Sequence, residues 1–94
     1  MSVKIAIPTA LRPYVGGAAA VEVEGATVRA ALDALTTTHP KLASHLRDSS
    51  GKLRSFVNVY LGDEDVRFLP QREDTPLQGG ELLTIVPSIA GGVP

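Results

Sequence analysis

The two histidines are the first residues to consider for catalysis or metal binding, because imidazole titrates near neutral pH and is a common metal ligand. His39 and His45 are six positions apart, a spacing that does not place them on one face of a helix. No acidic cluster accompanies them in the sequence, although a metal site or a general base needs such partners. We therefore interpret both as surface histidines near a helix end, and we expect no metal site.

Two further patterns match known ligand-binding loops only in part. Asp63, Glu64 and Asp65 form a run of acids, but a calcium loop needs oxygen ligands at alternating positions and a later glutamate. The Gly-Gly pairs at 16–17 and 79–80 lack the following Lys-Ser/Thr sequence or helix start of a phosphate-binding loop. Solvated turns explain all three patterns. Because no catalytic constellation emerges, we expect a protein that is not an enzyme.

The composition narrows the remaining classes of function. The chain has 94 residues, which is the size of one domain. It has no cysteine, which excludes disulfides, cysteine-ligated zinc and thiol nucleophiles from its own chemistry. Its net charge of -1 argues against nucleic acid or an anionic membrane as the principal partner. No apolar stretch approaches the roughly 20 residues of a membrane helix and no signal sequence is visible, so we expect a soluble cytoplasmic protein.

The elements that would position any functional group begin with two strand patterns. Residues 3–7 alternate valine or isoleucine with lysine or alanine, a period of two that is typical of a half-buried strand. The alternation resumes over residues 21–24, so the two strands are predicted to form an antiparallel pair. Pro13 and the glycines at 16–17 favour turns, and we interpret residues 9–20 as a long hairpin connection.

After Gly25 the period changes to that of an amphipathic helix. The apolar positions that follow the i, i+3, i+4, i+7 spacing are Val28, Ala31, Leu32 and Leu35. Thr27 can cap the N-terminus through its side-chain oxygen. Pro40 disfavours helical backbone at the residue before it, so the helix is predicted to end near Thr38. A short helical turn is predicted over residues 41–46.

Three further strand patterns follow the helix. Residues 56–61 are the most β-like run, residues 65–68 are predicted to return as a short strand, and residues 82–86 form the last strand. The positions assigned to the core are Val57, Val59, Leu61, Leu83 and Ile85. Strands before and after one helix predict an α+β fold in which a sheet of four or five strands packs on that helix.

The C-terminal segment stands apart from these elements. Residues 87–94 read Pro-Ser-Ile-Ala-Gly-Gly-Val-Pro directly after the last predicted strand. A frayed terminus is the simplest interpretation of such a segment, because chain ends are commonly poorly ordered.

The tail and the order of the elements together resemble the ubiquitin-like β-grasp sulfur carriers of the ThiS and MoaD family. Three internal blocks, at residues 7–13, 56–60 and 63–68, are most similar to the actinobacterial carriers that serve cysteine synthesis. The resemblance covers essentially the whole chain. It implies a β-grasp domain with a mixed sheet over residues 1–87 and a flexible tail over residues 88–94.

The resemblance also implies the chemistry of the tail. The carboxylate of Gly92 would be adenylated by an E1-like enzyme of the MoeB type, which uses ATP, and converted with a sulfide source to a thiocarboxylate that donates sulfide. The carrier itself would bind no cofactor. Glycine suits this role, because Gly91 and Gly92 lack a Cβ atom that would crowd a narrow enzyme channel.

Two residues follow the second glycine and block its carboxylate with a peptide bond. They are Val93 and Pro94, so the sequence predicts a precursor. By similarity to carriers with such extensions, a JAMM-type zinc protease would cut between Gly92 and Val93.

For docking on partner enzymes, the family uses the sheet face opposite the helix together with the tail. By resemblance, the matching positions in this chain are Pro8, Val86, Ile89, Ala90, Phe56 and Tyr60. An exposed aromatic side chain is a common anchor for a partner, but it also stabilises neighbouring strands through cross-strand pairs, and the sequence leaves both interpretations open.

Several alternatives stay open at the level of the sequence. The sulfur acceptor could be a cysteine synthase-like enzyme, or an enzyme of thiamin, molybdopterin or natural-product synthesis. The same Gly92 carboxylate could instead form isopeptide bonds with lysines, as in a ubiquitin-like protein modifier. A plain binding module with an inert tail is the remaining alternative.

Overall fold

A computed structural model of the chain describes residues 2–55 and 57–87. The strands and helices in chain order are β1 (Ser2–Ala6), β2 (Ala20–Glu24), α1 (Val28–Thr38), α2 (Pro40–Leu46), β3 (Val57–Leu61), β4 (Glu64–Asp65) and β5 (Leu82–Pro87). Three short 3-10 helices occupy connections, at Thr9–Val15, Val66–Phe68 and Arg72–Asp74. No helix in the described part of the chain is long and apolar enough to cross a membrane.

The five strands form one mixed sheet in the order β2-β1-β5-β3-β4. β1 and β5 run parallel in the middle of the sheet, and every other neighbouring pair is antiparallel. A parallel pair of strands needs a long crossover connection. Both helices belong to the connection between β1 and β5, and they cover one face of the sheet. The expected α+β architecture, with strands before and after one main helix, is confirmed.

α1 forms because its apolar side chains fall on one stripe and its first turn is capped. Its core-facing residues Val28, Ala31, Leu32 and Leu35 are each 0% exposed. The Thr27 hydroxyl accepts a hydrogen bond of 3.1 Å from the backbone N–H of Ala30, which satisfies one donor of the first turn. α1 ends at Thr38, as predicted. Pro40 then opens α2 at a first helical position, where a missing N–H costs nothing.

The core lies between the helices and one face of the sheet. Val59 of β3 pairs with Ile85 of β5, and Leu61 pairs with Leu83, so these side chains point to the same side. Val57, Val59, Leu83 and Ile85 are at most 2% exposed, which confirms these predicted core positions. Leu61, the fifth predicted position, is only partly buried and packs against the core. The alternate residues of β3 and β5 form the opposite face, here called the outer face.

The short strand predicted over residues 65–68 is wrong, because pairing ends at Asp65. The Asp65 carboxylate accepts a hydrogen bond of 2.9 Å from the backbone N–H of Arg67 and turns the chain into the 3-10 helix Val66–Phe68. Such a local bond gives the backbone an alternative to the β ladder. The connection over residues 9–20 joins antiparallel strands, as predicted. Its first half is not a series of turns but the 3-10 helix Thr9–Val15.

Candidate functional site

The strand that precedes the tail in the sequence, β5, ends beside the first residue of β3. Pro87 pairs with Val57, and Val86 pairs with Asn58. On the other side, the parallel register of β1 with β5 reaches Ala6 opposite Thr84. The tail therefore starts at one end of the sheet between β1 and β3. The site positions Phe56, Ile89, Ala90, Gly91, Gly92 and Val93 lie outside the described residues.

The outer face next to this point carries exposed apolar side chains. Val86 is 39% exposed and Leu82, four residues earlier on the same strand, is 45% exposed. Both lie on the outer face because side chains alternate along a strand. Tyr60 is half-buried on this face, where it pairs with Thr84. The structure thus brings Val86 and Tyr60 to one face, as predicted, and adds Leu82, which the sequence analysis missed although it shares the parity of Val86.

Pro8 lies just beyond the end of β1, two residues after Ala6, and is half-buried. The Arg12 guanidinium donates from Nε to the carbonyl of Ile7 at 3.1 Å, which ties the following 3-10 helix to the end of the strand. Ala6 and Thr84 are the last paired residues of β1 and β5. Pro8 and Val86 therefore lie two residues beyond the same point of the parallel ladder, which is consistent with one surface containing both.

Arg67 holds the start of β3 in place. Its guanidinium donates to the Asn58 side-chain carbonyl at 2.9 Å, to the Arg54 carbonyl at 2.7 Å and to the Ser55 carbonyl at 3.4 Å. Because Asn58 pairs with Val86, these bonds connect Arg67 to the part of β3 that pairs with the last residues of β5. The sequence analysis did not identify this contact. The sequence around Arg67 shows only a single arginine after an acidic turn, and this pattern does not indicate a contact with the start of β3.

The turn before β5 is organised by one carboxylate. The Glu81 side chain accepts hydrogen bonds of 2.7 Å from the backbone N–H groups of Gln78 and Gly79. These bonds, chiefly that from Gln78, hold the pKa of Glu81 below its ordinary value. Gly80 then donates its N–H to the Ser2 carbonyl at 2.8 Å, which anchors the turn to β1. The bonds within the turn and the bond from the turn to β1 together fix the start of β5. They thereby also fix the register of the strand that precedes the tail.

The histidines occupy structural positions. His39 lies at the junction of α1 and α2, and His45 is half-buried in α2. The His45 ring lies 4.2 Å from the ring centroid of Tyr14 at an interplanar angle of 30°. No group of three His, Asp or Glu side chains in residues 2–55 and 57–87 is arranged to hold a metal ion.

Comparison with known proteins shows that the chain is similar to sulfur carriers. The chain matches the model of the ThiS family over residues 5–92. It is 42% identical to the sulfur carrier protein CysO of Mycobacterium tuberculosis over 94 residues, which cover 98% of this chain and 100% of that protein. The likeness predicted from the internal blocks is therefore confirmed. This relative is named as a carrier and not as a catalyst, in agreement with the expectation that the chain is not an enzyme.

Two solved structures show the same fold. A chain in the crystal structure of the Amycolatopsis orientalis BexX/CysO complex is 41% identical, with a TM-score of 0.84 and coverage of 96% of this chain and 99% of that chain. Small archaeal modifier protein 1 of Haloferax volcanii is 26% identical, with a TM-score of 0.80 and coverage of 94% and 98%. The mixed five-stranded sheet with its helices is the ubiquitin-like β-grasp fold of these proteins.

Proposed function

Because the chain belongs to the ThiS family, we propose that it is a ubiquitin-like sulfur carrier whose reactive group is the C-terminal carboxylate of Gly92. The observation that carries this proposal is the extent of the family match, which includes both tail glycines and ends at Gly92. The identity of 42% to a sulfur carrier protein over nearly the full length supports it. The fold contributes the sheet whose strand β5 ends at Pro87, directly before the tail in the sequence.

The proposed chemistry takes place on the tail, within a partner enzyme. An oxygen of the Gly92 carboxylate attacks the α-phosphorus of ATP, and pyrophosphate leaves. Sulfide, or a sulfur donor of equivalent oxidation state, then attacks the carbonyl carbon of the acyl adenylate, and AMP leaves. One carboxylate oxygen is thereby replaced by sulfur. Gly91 and Gly92 suit these steps because neither carries a Cβ atom that would obstruct the nucleotide or the sulfur nucleophile.

The outer face is the proposed docking surface for the activating enzyme, which would be of the E1-like MoeB type. Val86 exposes apolar area directly before the tail, where a partner that surrounds the tail must make contact, and Leu82 exposes apolar area on the same face at the start of β5. Tyr60 adds an amphipathic side chain on the neighbouring strand. Pro8 and the tail residues Ile89 and Ala90, with Phe56, are proposed to extend the same contact. Burial of such apolar side chains supplies affinity that is independent of the chemistry.

The reactive carboxylate requires removal of the two residues after Gly92. We assign this step to a JAMM-type zinc protease that hydrolyses the bond between Gly92 and Val93. The test incubates the full chain with the protease and follows cleavage after residue 92. The Gly92→Ala chain is the matched variant. Cleavage after Gly92 that stops when zinc is chelated supports the step, whereas resistance of the full chain to the JAMM-type proteases encoded with it contradicts the step.

The carrier function itself is tested by reconstitution. The chain ending at Gly92 is incubated with the MoeB-type enzyme, ATP and sulfide, and the intact mass is measured. We expect a gain that corresponds to one sulfur in place of one oxygen. The full chain, whose carboxylate belongs to Pro94, is the matched control and should stay unchanged. Failure of the trimmed chain to be adenylated by any candidate activating enzyme would refute the proposal.

The sulfur acceptor is proposed to be a cysteine synthase-like enzyme, on the strength of the similarity to CysO. Thiamin, molybdopterin or natural-product synthesis would use an almost identical thiocarboxylate, because the chemistry of the tail is the same. Presentation of the thiocarboxylate form to each purified acceptor distinguishes them. Transfer of labelled sulfur into cysteine supports the assignment, and transfer only to another product replaces it.

A second candidate function is that of a protein modifier. The structural likeness to small archaeal modifier protein 1 supports it, since the same activated Gly92 could be attacked by a lysine amine. Expression of a tagged chain in its native host, followed by proteolysis and peptide mass spectrometry, tests this function. Branched peptides that carry the tail on a lysine side chain support it. Tagged protein found entirely as free chain contradicts it.

A further inference from the structure

The charged side chains are distributed unevenly between the two ends of the sheet. At one end, β5 stops at Pro87, which pairs with Val57, the first residue of β3. β1 is parallel to β5 and also stops there, and we call this the Pro87 end. At the other end, here called the Leu82 end, β5 begins and β3 stops at Leu61.

Three arginines are held at the Pro87 end by neutral acceptors. Arg12 donates from Nε to the carbonyl of Ile7 at 3.1 Å, just beyond the end of β1. Arg67 donates to the carbonyl oxygens at the start of β3 that are described above. Arg54, three residues before β3, donates from Nε to the Ser44 carbonyl at 2.7 Å. Because a carbonyl oxygen carries no net charge, these bonds orient the guanidinium groups without neutralising them.

The positive charge of these arginines is not cancelled by carboxylates in the described part of the chain. Within residues 2–55 and 57–87, none of Arg12, Arg54 and Arg67 forms an ion pair. Asp48 senses the charge of Arg54, but its pKa is lowered chiefly by the hydrogen bond from the Ser50 hydroxyl, and the arginine contributes least. All three arginines are partly exposed, so their charge is accessible to a partner.

Acidic residues lie at the opposite, Leu82 end. Five of the ten acids of the chain are there, namely Glu22, Glu24, Asp63, Glu64 and Glu81. The first two pair with the start of β1, the next two follow β3, and the last directly precedes β5. Lys4, which pairs with Glu22, is the one basic residue in the five described strands. The charge is therefore polarised along the strands, although the net charge of the chain is only -1.

The Pro87 end is the end that an enzyme acting on Gly92 must approach. Gly92 follows Pro87 by five residues. Five residues span at most about 18 Å when they are fully extended. An enzyme that holds Gly92 in its active site therefore presents its surface to the Pro87 end.

The Pro87 end is also continuous with the outer face, the docking surface proposed for the activating enzyme. Arg67 bonds to Asn58, and Asn58 lies on the outer face opposite Val86. An enzyme that contacts Val86 is therefore next to Arg67 as well. This continuity identifies the activating enzyme as the partner that meets the three arginines.

We propose that Arg12, Arg54 and Arg67 form a basic end that contacts an acidic surface of the activating enzyme and orients the carrier with the Pro87 end towards it. Charge complementarity supports this partner, because like charges would repel and carboxylates attract the three cations. The acids of the Leu82 end add to the orientation, since the same acidic surface repels them. The inference rests on the proposed function for the identity of the enzyme.

The test measures the rate of association of the chain ending at Gly92 with the activating enzyme, by stopped-flow fluorescence without ATP or sulfide. The variants Arg12→Gln and Arg54→Gln each remove one positive charge from the basic end. The matched control is Arg29→Gln, which removes the same charge from the first turn of α1, shortly after β2 ends at the Leu82 end. Arg67 is left intact because it holds the start of β3. Circular dichroism verifies that each variant is folded.

At about 0.01 M salt, we expect each of the two variants to associate about threefold more slowly than the wild-type chain, and the control to differ by less than about 1.5-fold. The differences should disappear at about 1 M salt, where the Debye length is only about 3 Å. The inference is overturned if the two variants associate as fast as the wild-type chain at low salt, if the control is slowed equally, or if the wild-type chain does not bind.

Other partners of the basic end would show themselves in the same experiment. Slower association of the two variants with the cysteine synthase-like acceptor alone, or with a single-stranded RNA oligonucleotide alone, would assign the basic end to that partner and overturn the inference. The proposed function is read separately, from the mass of the product. A chain that associates through the basic end but never gains sulfur supports this inference and contradicts the proposed function.

Discussion

Arg67 and Asn58 are joined by a hydrogen bond of 2.9 Å from the guanidinium Nη1 to the side-chain carbonyl, and Asn58 pairs across the sheet with Val86. The irregular chain after β4 is thereby connected to the strand that aligns the end of β5. Since the tail follows β5 directly, this contact links the least regular part of the fold to its functional end.

Replacement of Arg67 by alanine is expected to lower the free energy of unfolding by about 2 kcal/mol, because three donated hydrogen bonds from a half-buried cation are lost. Urea denaturation at neutral pH measures the change. Arg29→Ala is the matched control, since Arg29 forms an exposed ion pair with Asp74 and its loss should cost less than about 1 kcal/mol. Equal losses in the two variants would show that the Arg67 contacts contribute nothing specific.

The ion pair between Arg47 and Glu73 is largely shielded from solvent, with side chains 13% and 15% exposed. Glu73→Gln leaves the buried guanidinium without its closest counter-charge and is expected to cost about 3 kcal/mol. Thermal and urea unfolding measure the loss. Asp74→Asn, at a neighbouring carboxylate that is 72% exposed, is the control and should stay within about 1 kcal/mol of the wild-type chain. A Glu73 variant as stable as this control contradicts the prediction.

Glu81 gives the stability of the turn before β5 a dependence on pH. Its pKa is lowered in the folded chain by the N–H groups of Gln78 and Gly79, so the folded state favours the ionised carboxylate. The resulting stabilisation is complete above the ordinary pKa, near 4.5, and is lost as pH falls through the lowered folded value. The difference in unfolding free energy between wild type and Glu81→Gln should therefore be constant near neutral pH and shrink in acid. A difference that grows in acid has the wrong sign for this account.

Val86→Asp is expected to impair docking without affecting the fold, because the side chain is on the outer face and 39% exposed. The chain ending at Gly92 serves as substrate of the activating enzyme. KM should rise by about tenfold while kcat changes little, because a docking contact stabilises the bound ground state and the transition state equally. Thr37→Asp, an exposed change on α1, is the control. A fall in kcat at unchanged KM would mean that Val86 acts on the chemistry and not on docking.

Much of the fold could be predicted from the sequence, because the buried faces impose strong periods. Leu83 and Ile85 face the core as their alternation predicts, and α1 has the predicted cap and end. The short strand at 65–68 was predicted wrongly because its alternation is real, but the Asp65 side chain bonds to the Arg67 N–H and turns the chain. Local hydrogen bonding of this kind outweighs a weak strand pattern at a sheet edge.

The polar contacts that stabilise the site could not be predicted. Arg67 reaches residues 9 and 13 positions away, and Arg47 pairs with a glutamate 26 positions away, distances at which no periodicity relates the partners. Leu82 could have been assigned to the outer face, since it has the same parity as Val86. The exposure of Phe68 depends on where β4 ends, which the sequence pattern placed too late.

The most direct test of the carrier account is the intact mass of the chain recovered from its native host. The account predicts a species that ends at Gly92, part of it heavier by the replacement of one oxygen with one sulfur. Recovery of only the full chain with Val93 and Pro94, under every growth condition, would mean that the carboxylate of Gly92 is never released, and would contradict the account.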